Sequence, residues 1–130
     1  MIRKANLKDI YAIYSLLVEE SLKGKVLKRP LLEIENVIDN FFVFEEEDCV
    51  IGCCSLEIYN MKIAEIRSLV VSSRHRNKGV GSILVENCLI EARKIGVYQV
   101  LSVTHKNELF QRLGFKNEIN EKTAMLLNIG

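Results

Sequence analysis

Residues 66–82 restrict the architecture more than any other stretch of this chain. Ile66-Arg67-Ser68-Leu69-Val70-Val71 ends in an apolar, β-branched run of the kind that lies inside a sheet. A basic turn carrying Arg74, Arg76 and Lys78 follows, then two glycines one residue apart, Gly79 and Gly81. A long amphipathic helix comes next, with Val80, Ile83, Leu84 and Cys88 as its apolar stripe and Gly96 placed to stop it. A strand delivered through a glycine turn onto a helix is an anion cradle. Glycines let backbone approach a ligand closely, unpaired N–H groups at the helix start favour phosphate oxygens, and the basic side chains raise the local potential.

The rest of the chain fits around that unit. Ile2 to Ala5 reads as a short strand, and Asn6 as the N-cap of a helix carrying Leu7, Ile10, Ile13, Tyr14, Leu17 and Val18, with Asp9 adding negative charge to its first turn. Leu31 to Asp39 reads as a second, shorter helix. Phe41 to Phe44 and Cys49 to Tyr59 form a hairpin across the acidic turn Glu45-Glu46-Glu47-Asp48, and Ile63 to Val71 is a third consecutive strand. After the long helix come a strand at Val97 to Val103, a short helix at Asn107 to Arg112, and closing strands at Phe115 to Ile119 and Thr123 to Asn128. The order is βααβββαβαββ, an α/β (α+β) fold with a mixed central sheet flanked by helices.

Length and composition set the outer bounds. With 130 residues, 48% hydrophobic and 27% charged, residues 1–130 are expected to make one domain that buries its own core. The formal charge of +1 gives no general attraction to nucleic acid or to an acidic membrane, and no apolar run reaches the length of a span. The N-terminus lacks a signal-like apolar core, so a cytoplasmic location is expected. The four cysteines, Cys49, Cys53, Cys54 and Cys88, contain no C-x-x-C pair. Cys53 and Cys54 would face opposite sides of a strand, so no metal site is expected and all four read as reduced, mostly buried thiols.

Gly79 and Gly81 alone are a weak signal, since a helix start beside a solvated basic turn would carry them equally well. The Walker pattern is absent, as is the third glycine of the dinucleotide fingerprint. Arg76-Asn77-Lys78-Gly79-Val80-Gly81, however, resembles the [RQ]-x-x-G-x-[GA] pyrophosphate loop of the GCN5-related N-acetyltransferase (GNAT) superfamily. Leu109-Phe110-Gln111-Arg112-Leu113-Gly114-Phe115 resembles its second signature, an aromatic helix ending in Leu-Gly-Phe, and the element order agrees along essentially the whole chain. The resemblance implies an acetyl-CoA-dependent N-acetyltransferase. Its fourth and fifth strands would splay, and backbone groups of Leu69, Val70 and Val71 would pair with the pantetheine arm. Arg76, Asn77, Lys78, Gly79, Val80, Gly81 and Ser82 would hold the pyrophosphate. Glu65 would be the base that strips the acceptor amine. Read without the resemblance, Glu65 is a surface carboxylate paired with Lys62 or Arg67. The tyrosine that many members use to protonate the departing thiolate is replaced here by Phe110.

A narrower resemblance points to the acceptor. Gly24 to Phe42, with Leu27-Lys28-Arg29 and Glu33-Ile34-Glu35, is similar to the acetyltransferase domain of N-acetylglutamate synthases, as is Lys62 to Val71. It implies glutamate as acceptor, with Arg29 gripping a carboxylate, Lys62 assisting, and Arg67 and Thr104 completing the substrate-binding set. Where a Ser or Thr is expected near the end of the fifth strand the chain has Val103, with Thr104 beside it. Other amino acids, polyamines and peptide amines are alternatives, and so is a weakly active acetyl-CoA-binding regulatory module. An exposed strand edge near the C-terminus makes a homodimer reasonable.

Overall fold

The computed structural model describes residues 1–24 and 29–130. Five strands form one sheet in the order β1-β2-β3-β4-β5: β1 (Ile2–Lys4), β2 (Phe41–Glu46), β3 (Cys49–Ile58), β4 (Ile63–Val71) and β5 (Gln99–Leu101). All neighbours run antiparallel except β4 and β5, which are parallel because the helix α3 (Val80–Ile95) crosses between them. The sheet is therefore mixed, as expected.

Alternation along the strands sends side chains into two cores. On one face, Phe42, Cys54, Leu56 and Ile66 pack against Val80, Leu84, Val85, Cys88 and Ala92 of α3. On the other, Phe41, Val43, Cys53 and Val70 meet Ile13, Leu16 and Leu17 of α1 (Ile10–Leu22) and Ile34 of α2 (Leu31–Asn36). Cys53 and Cys54 thus face opposite sides. Burial pushes the Cys53 thiol up to about 12, so it stays protonated, whereas Cys49 is exposed. Ile83, expected on the buried stripe of α3, is 41% exposed, and Val85 and Ala92 take its place.

The helix ends follow their sequence signals. Asn6 and Asp9 form a reciprocal capping box, though residues Leu7–Asp9 wind as a tight 3-10 turn before α1 begins. Arg3 holds Asp9 through two hydrogen bonds, at 2.8 and 3.0 Å. Gly96 closes α3 at φ 92°, with its N–H on the carbonyl of Ala92.

The C-terminal third departs most from expectation. The strand expected over 97–103 pairs only at Gln99–Leu101. After α4 (Asn107–Arg112), the two closing strands shrink to a hairpin of β6 (Glu118–Ile119) and β7 (Lys122–Thr123), separate from the main sheet. Asn120 and Glu121, both at positive φ, make its two-residue turn. Residues 124–130 form no strand, and Met125, Leu126, Leu127 and Ile129 are exposed. Among the described residues no helix is long and apolar enough to cross a membrane, and no group of His, Cys, Asp or Glu could hold a metal ion.

Candidate active site

The site begins where β4 outruns β5. Their parallel pairing covers only Ile63 with Gln99, Ala64 with Val100 and Glu65 with Leu101. One further tie, from Ser102 Oγ to the carbonyl of Ile66 at 3.0 Å, ends the contact, and β4 continues alone to Val71. The two strands part around a cavity of about 360 Å³ between residues 65–69 of β4 and residues 102–106, floored by Phe110 of α4. The splay is the expected one. Within it β4 carries a bulge: Cys53 pairs with Val70 and Ser55 with Arg67, so two steps on β3 face three on β4. Ser68, at φ 57°, takes up the extra residue. Ala64 and Ile66 face α3 before the bulge, and Leu69 and Val71 face it afterwards.

A second cleft of about 240 Å³ adjoins the first and is formed by the glycine turn, the start of α3 and one face of α4. Leu69 and Lys106 line both hollows. The two glycines serve different needs. Gly79 takes φ 82° with nothing within 4 Å of a built Cβ, so it is required by backbone conformation and opens onto free space. A Cβ at Gly81 would lie 3.1 Å from Leu109 Cδ1, so its bareness lets α3 approach α4. Ile83 is the first residue of α3 to bond back, to the carbonyl of Gly79 at 3.1 Å, leaving the N–H groups of Val80, Gly81 and Ser82 without helical partners. These donors, Asn77 at φ 63° and the exposed Lys78 suit a pyrophosphate. Arg76 behaves differently. Its guanidinium turns inward, Nε to the carbonyl of Val71 at 3.2 Å and Nη2 to Glu20 of α1.

Glu65 lines the first cavity, and its partner is neither Lys62 nor Arg67. Tyr59 donates its hydroxyl to Glu65 Oε1 at 2.5 Å. That bond, with burial and the nearby carboxylates, pushes the Tyr59 phenol up to about 12, so it remains a donor. Phe110 is buried and stacks edge-on against Phe115 at 5.0 Å, offering no hydroxyl to the cavity.

Arg67 and Ser68 line the cavity, and Arg29 lies behind them, 2% exposed over the ring of Phe41. Its guanidinium is already paired: Nη1 with Glu57 at 3.1 Å and with Ser68 Oγ at 2.9 Å, and Nη2 with Glu33 at 3.1 Å. Arg67 meets the other oxygen of Glu57 at 3.3 Å. Glu57 sits directly opposite Glu65 across the β3–β4 ladder, a repulsive pair that Arg67 and Tyr59 relieve by each serving one carboxylate. Thr104 lines the cavity and accepts the N–H of Lys106 at 2.9 Å. Lys62 stands apart, exposed on the β3–β4 turn and not on the cavity wall. Leu27 and Lys28 lie outside the described residues.

Four residues of this site escaped the sequence reading: Glu20, Glu57, Tyr59 and Lys106. A signal existed for two of them. Hairpin register sets Glu57 opposite Glu65 and Tyr59 diagonal to it. No local pattern marks Glu20, which meets its partner 56 residues away, or Lys106, whose Nζ reaches the carbonyl of Leu69 at 3.0 Å.

A sequence model described as Acetyltransferase (GNAT) family matches residues 7–115. An uncharacterized N-acetyltransferase of Chlorobaculum tepidum is 39% identical over 115 residues, covering 88% of this chain and 74% of that protein. An amino-acid acetyltransferase of Mycobacterium tuberculosis is 29% identical over 119 residues, covering 88% of this chain and 67% of that protein. The structure of N-acetylglutamate synthase from Neisseria gonorrhoeae, complexed with coenzyme A and N-acetyl-glutamate, matches with a TM-score of 0.86 at 28% identity, over 92% of this chain and 28% of that one. The chain thus spans little more than a quarter of that synthase.

Proposed function

This chain belongs to the acetyltransferase (GNAT) family and is an acetyl-CoA-dependent N-acetyltransferase, and we propose that its acceptor is a small amine bearing a carboxylate, glutamate first among candidates. One observation carries this reading. Glu65 and Arg67 line the same cavity at the parting of β4 and β5, so a proton acceptor and a guanidinium are offered together to one small ligand. The cavity volume lies at the lower end of the range for small-molecule pockets.

In this reading the amine enters with its carboxylate toward Arg67, whose side chain is 30% exposed. Arg29 supports that end from behind through Glu57 and Ser68. Glu65, held in orientation by the Tyr59 hydroxyl, takes the amine proton directly or through water. The freed lone pair then attacks the thioester carbonyl. Backbone groups of Leu69, Val70 and Val71 would hold the pantetheine arm, and Asn77 to Ser82 the pyrophosphate. A polyamine acceptor is the second reading. It is favoured by the neutralisation of Arg29 by Glu33 and Glu57, which leaves Glu65 as the one carboxylate among the described residues on the cavity wall, where an ammonium could sit.

Release of free CoA across glutamate, other amino acids, polyamines and short peptides separates the readings. Glutamate turnover whose KM rises at least about tenfold in Arg67→Ala, as loss of a charge-assisted pair predicts, supports the carboxylate reading. Turnover confined to polyamines or peptides would discard it. Glu65→Gln is expected to lower kcat by about 10²-fold or more.

A further inference from the structure

The departing sulfur needs a group to receive it, and Phe110 supplies none. The cavity wall holds several hydrogen-bonding side chains, but among the described residues Lys106 is the only polar one that lines both the reaction cavity and the phosphate cleft. A cofactor with its phosphates in the cleft and its thioester beside Glu65 must pass this residue. Lys106 sits at the start of α4 with its carbonyl bonded to the N–H of Phe110, one helical turn on, so the two side chains share a helix face. Its ammonium spends one hydrogen on the carbonyl of Leu69, at the mouth of the splay, and two remain.

We propose that Lys106 is the proton donor to the departing CoA sulfur, a role that rests on the acetyltransferase reading above. As the amine nitrogen bonds to the carbonyl carbon, the C–S bond breaks and its electron pair passes to sulfur. Lys106 Nζ hands that sulfur a proton and regains one from water. The acceptor ammonium sheds two protons, one to Glu65 before attack and one from the nitrogen as the adduct collapses, and both pass to solvent. One makes good the proton Lys106 gives to sulfur, so a single proton is released per turnover and charge balances.

The surroundings of Lys106 suit this task. Burial draws its ammonium below the ordinary lysine range. Glu20 of α1 pulls it back up and Arg76 of the glycine turn pulls it down. The result is an ammonium that gives up its proton more readily than an exposed lysine does.

The test follows the thiol of bound CoA by its ultraviolet thiolate absorbance against pH, in the unaltered chain, Lys106→Gln and Lys106→Arg. In the unaltered chain the bound thiol should ionise roughly one to three pH units below free CoA, as a neighbouring cation requires. Lys106→Gln should abolish that shift and lower kcat about 10²-fold, while Lys106→Arg keeps the shift. A bound thiol that titrates like free CoA in the unaltered chain overturns the proposal whatever the variants do. So does a shift that survives in Lys106→Gln. Either result leaves the acetyltransferase reading standing, whereas failure to bind CoA at all would remove both.

Discussion

Glu20 offers the sharpest perturbation, because it separates a strut from a phosphate ligand. The carboxylate sits on α1, 1% exposed, and its Oε1 meets both Arg76 and Lys23, the latter at 3.6 Å. Oε2 is buried and finds no partner among the described residues. Burial pushes its pKa up, but the hydrogen bond and charge of Arg76, helped by Lys23 and Lys106, outweigh that and hold it below the ordinary glutamate value of 4.5. Glu20→Gln keeps the shape and removes the charge. A hydrogen bond between charged groups contributes about 1.5–3 kcal/mol net, and Arg76, with its side chain 36% exposed, recovers some hydration. The expected loss is then about 1.5–2 kcal/mol, or roughly 5–10 °C in Tm for a chain of this size. The sign with pH follows from the lowered folded value. Stability from this pair is complete above about 4.5 and is lost as pH falls through the folded pKa, so the acid limb of a Tm-against-pH curve should flatten in Glu20→Gln. If Arg76 braces the turn, Glu20→Gln and Arg76→Ala should weaken acetyl-CoA binding by similar factors, and the double variant should lose no more than either. Calorimetry of acetyl-CoA binding with thermal melts of the four proteins reads all of this. Tighter acetyl-CoA binding in Glu20→Gln, with weaker binding in Arg76→Ala, would refute the strut and make Arg76 a phosphate ligand.

Two further outcomes follow from single contacts. Gly79→Ala forces an L side chain to φ 82° and should cost about 1–2 kcal/mol while raising the Kd for acetyl-CoA, measured by melting and calorimetry; an unchanged Kd would mean that the turn does not shape the cleft. The Tyr59 phenol, isolated as the difference between the unaltered chain and Tyr59→Phe, should ionise near about 12 and fall back toward 10.0 in Glu65→Gln; its hydrogen bond is present below the ordinary tyrosine range and lost as pH rises through the folded value.

Much of this architecture is written in local pattern. Alternation in β2 and β3 assigns Phe41 and Cys53 to one core and Phe42 and Cys54 to the other, and hydrophobic spacing with Gly96 bounds α3. The closing strands read less well, because a β-forming run such as Thr123 to Asn128 becomes a strand only where a neighbour offers an open edge. Only its first residue, Thr123, with Lys122 before it, meets Glu118 and Ile119 across a tight turn, and pairing stops there. The glycine turn was legible for the same reason that α3 was: Gly79 and Gly81 are local requirements, one of dihedral angle and one of space.

The charges around the site obey a different logic, because tertiary partners and not local pattern decide which of them are already paired. Arg29 looks like a free guanidinium in a basic stretch, yet burial under Phe41 is affordable only because Glu33, Glu57 and Ser68 already satisfy it. Arg76 looks like one more phosphate-binding cation, yet it completes a buried pair with a carboxylate on another helix. In both cases carboxylates from other segments already claim the cation, and a half-buried neighbour, Arg67 or Lys106, is left to meet the ligand. Lys106 shows the principle at its clearest. Its environment is set by burial, by Glu20 from α1 and by Arg76 from the glycine turn, segments that no window of the sequence contains together. A lysine at that junction is tuned by tertiary structure alone, so its acidity changes with Glu20 even though the two share no hydrogen bond. Removing the charge of Glu20 should therefore lower the pKa of Lys106 further, and with it the fraction of enzyme that carries the proton at high pH.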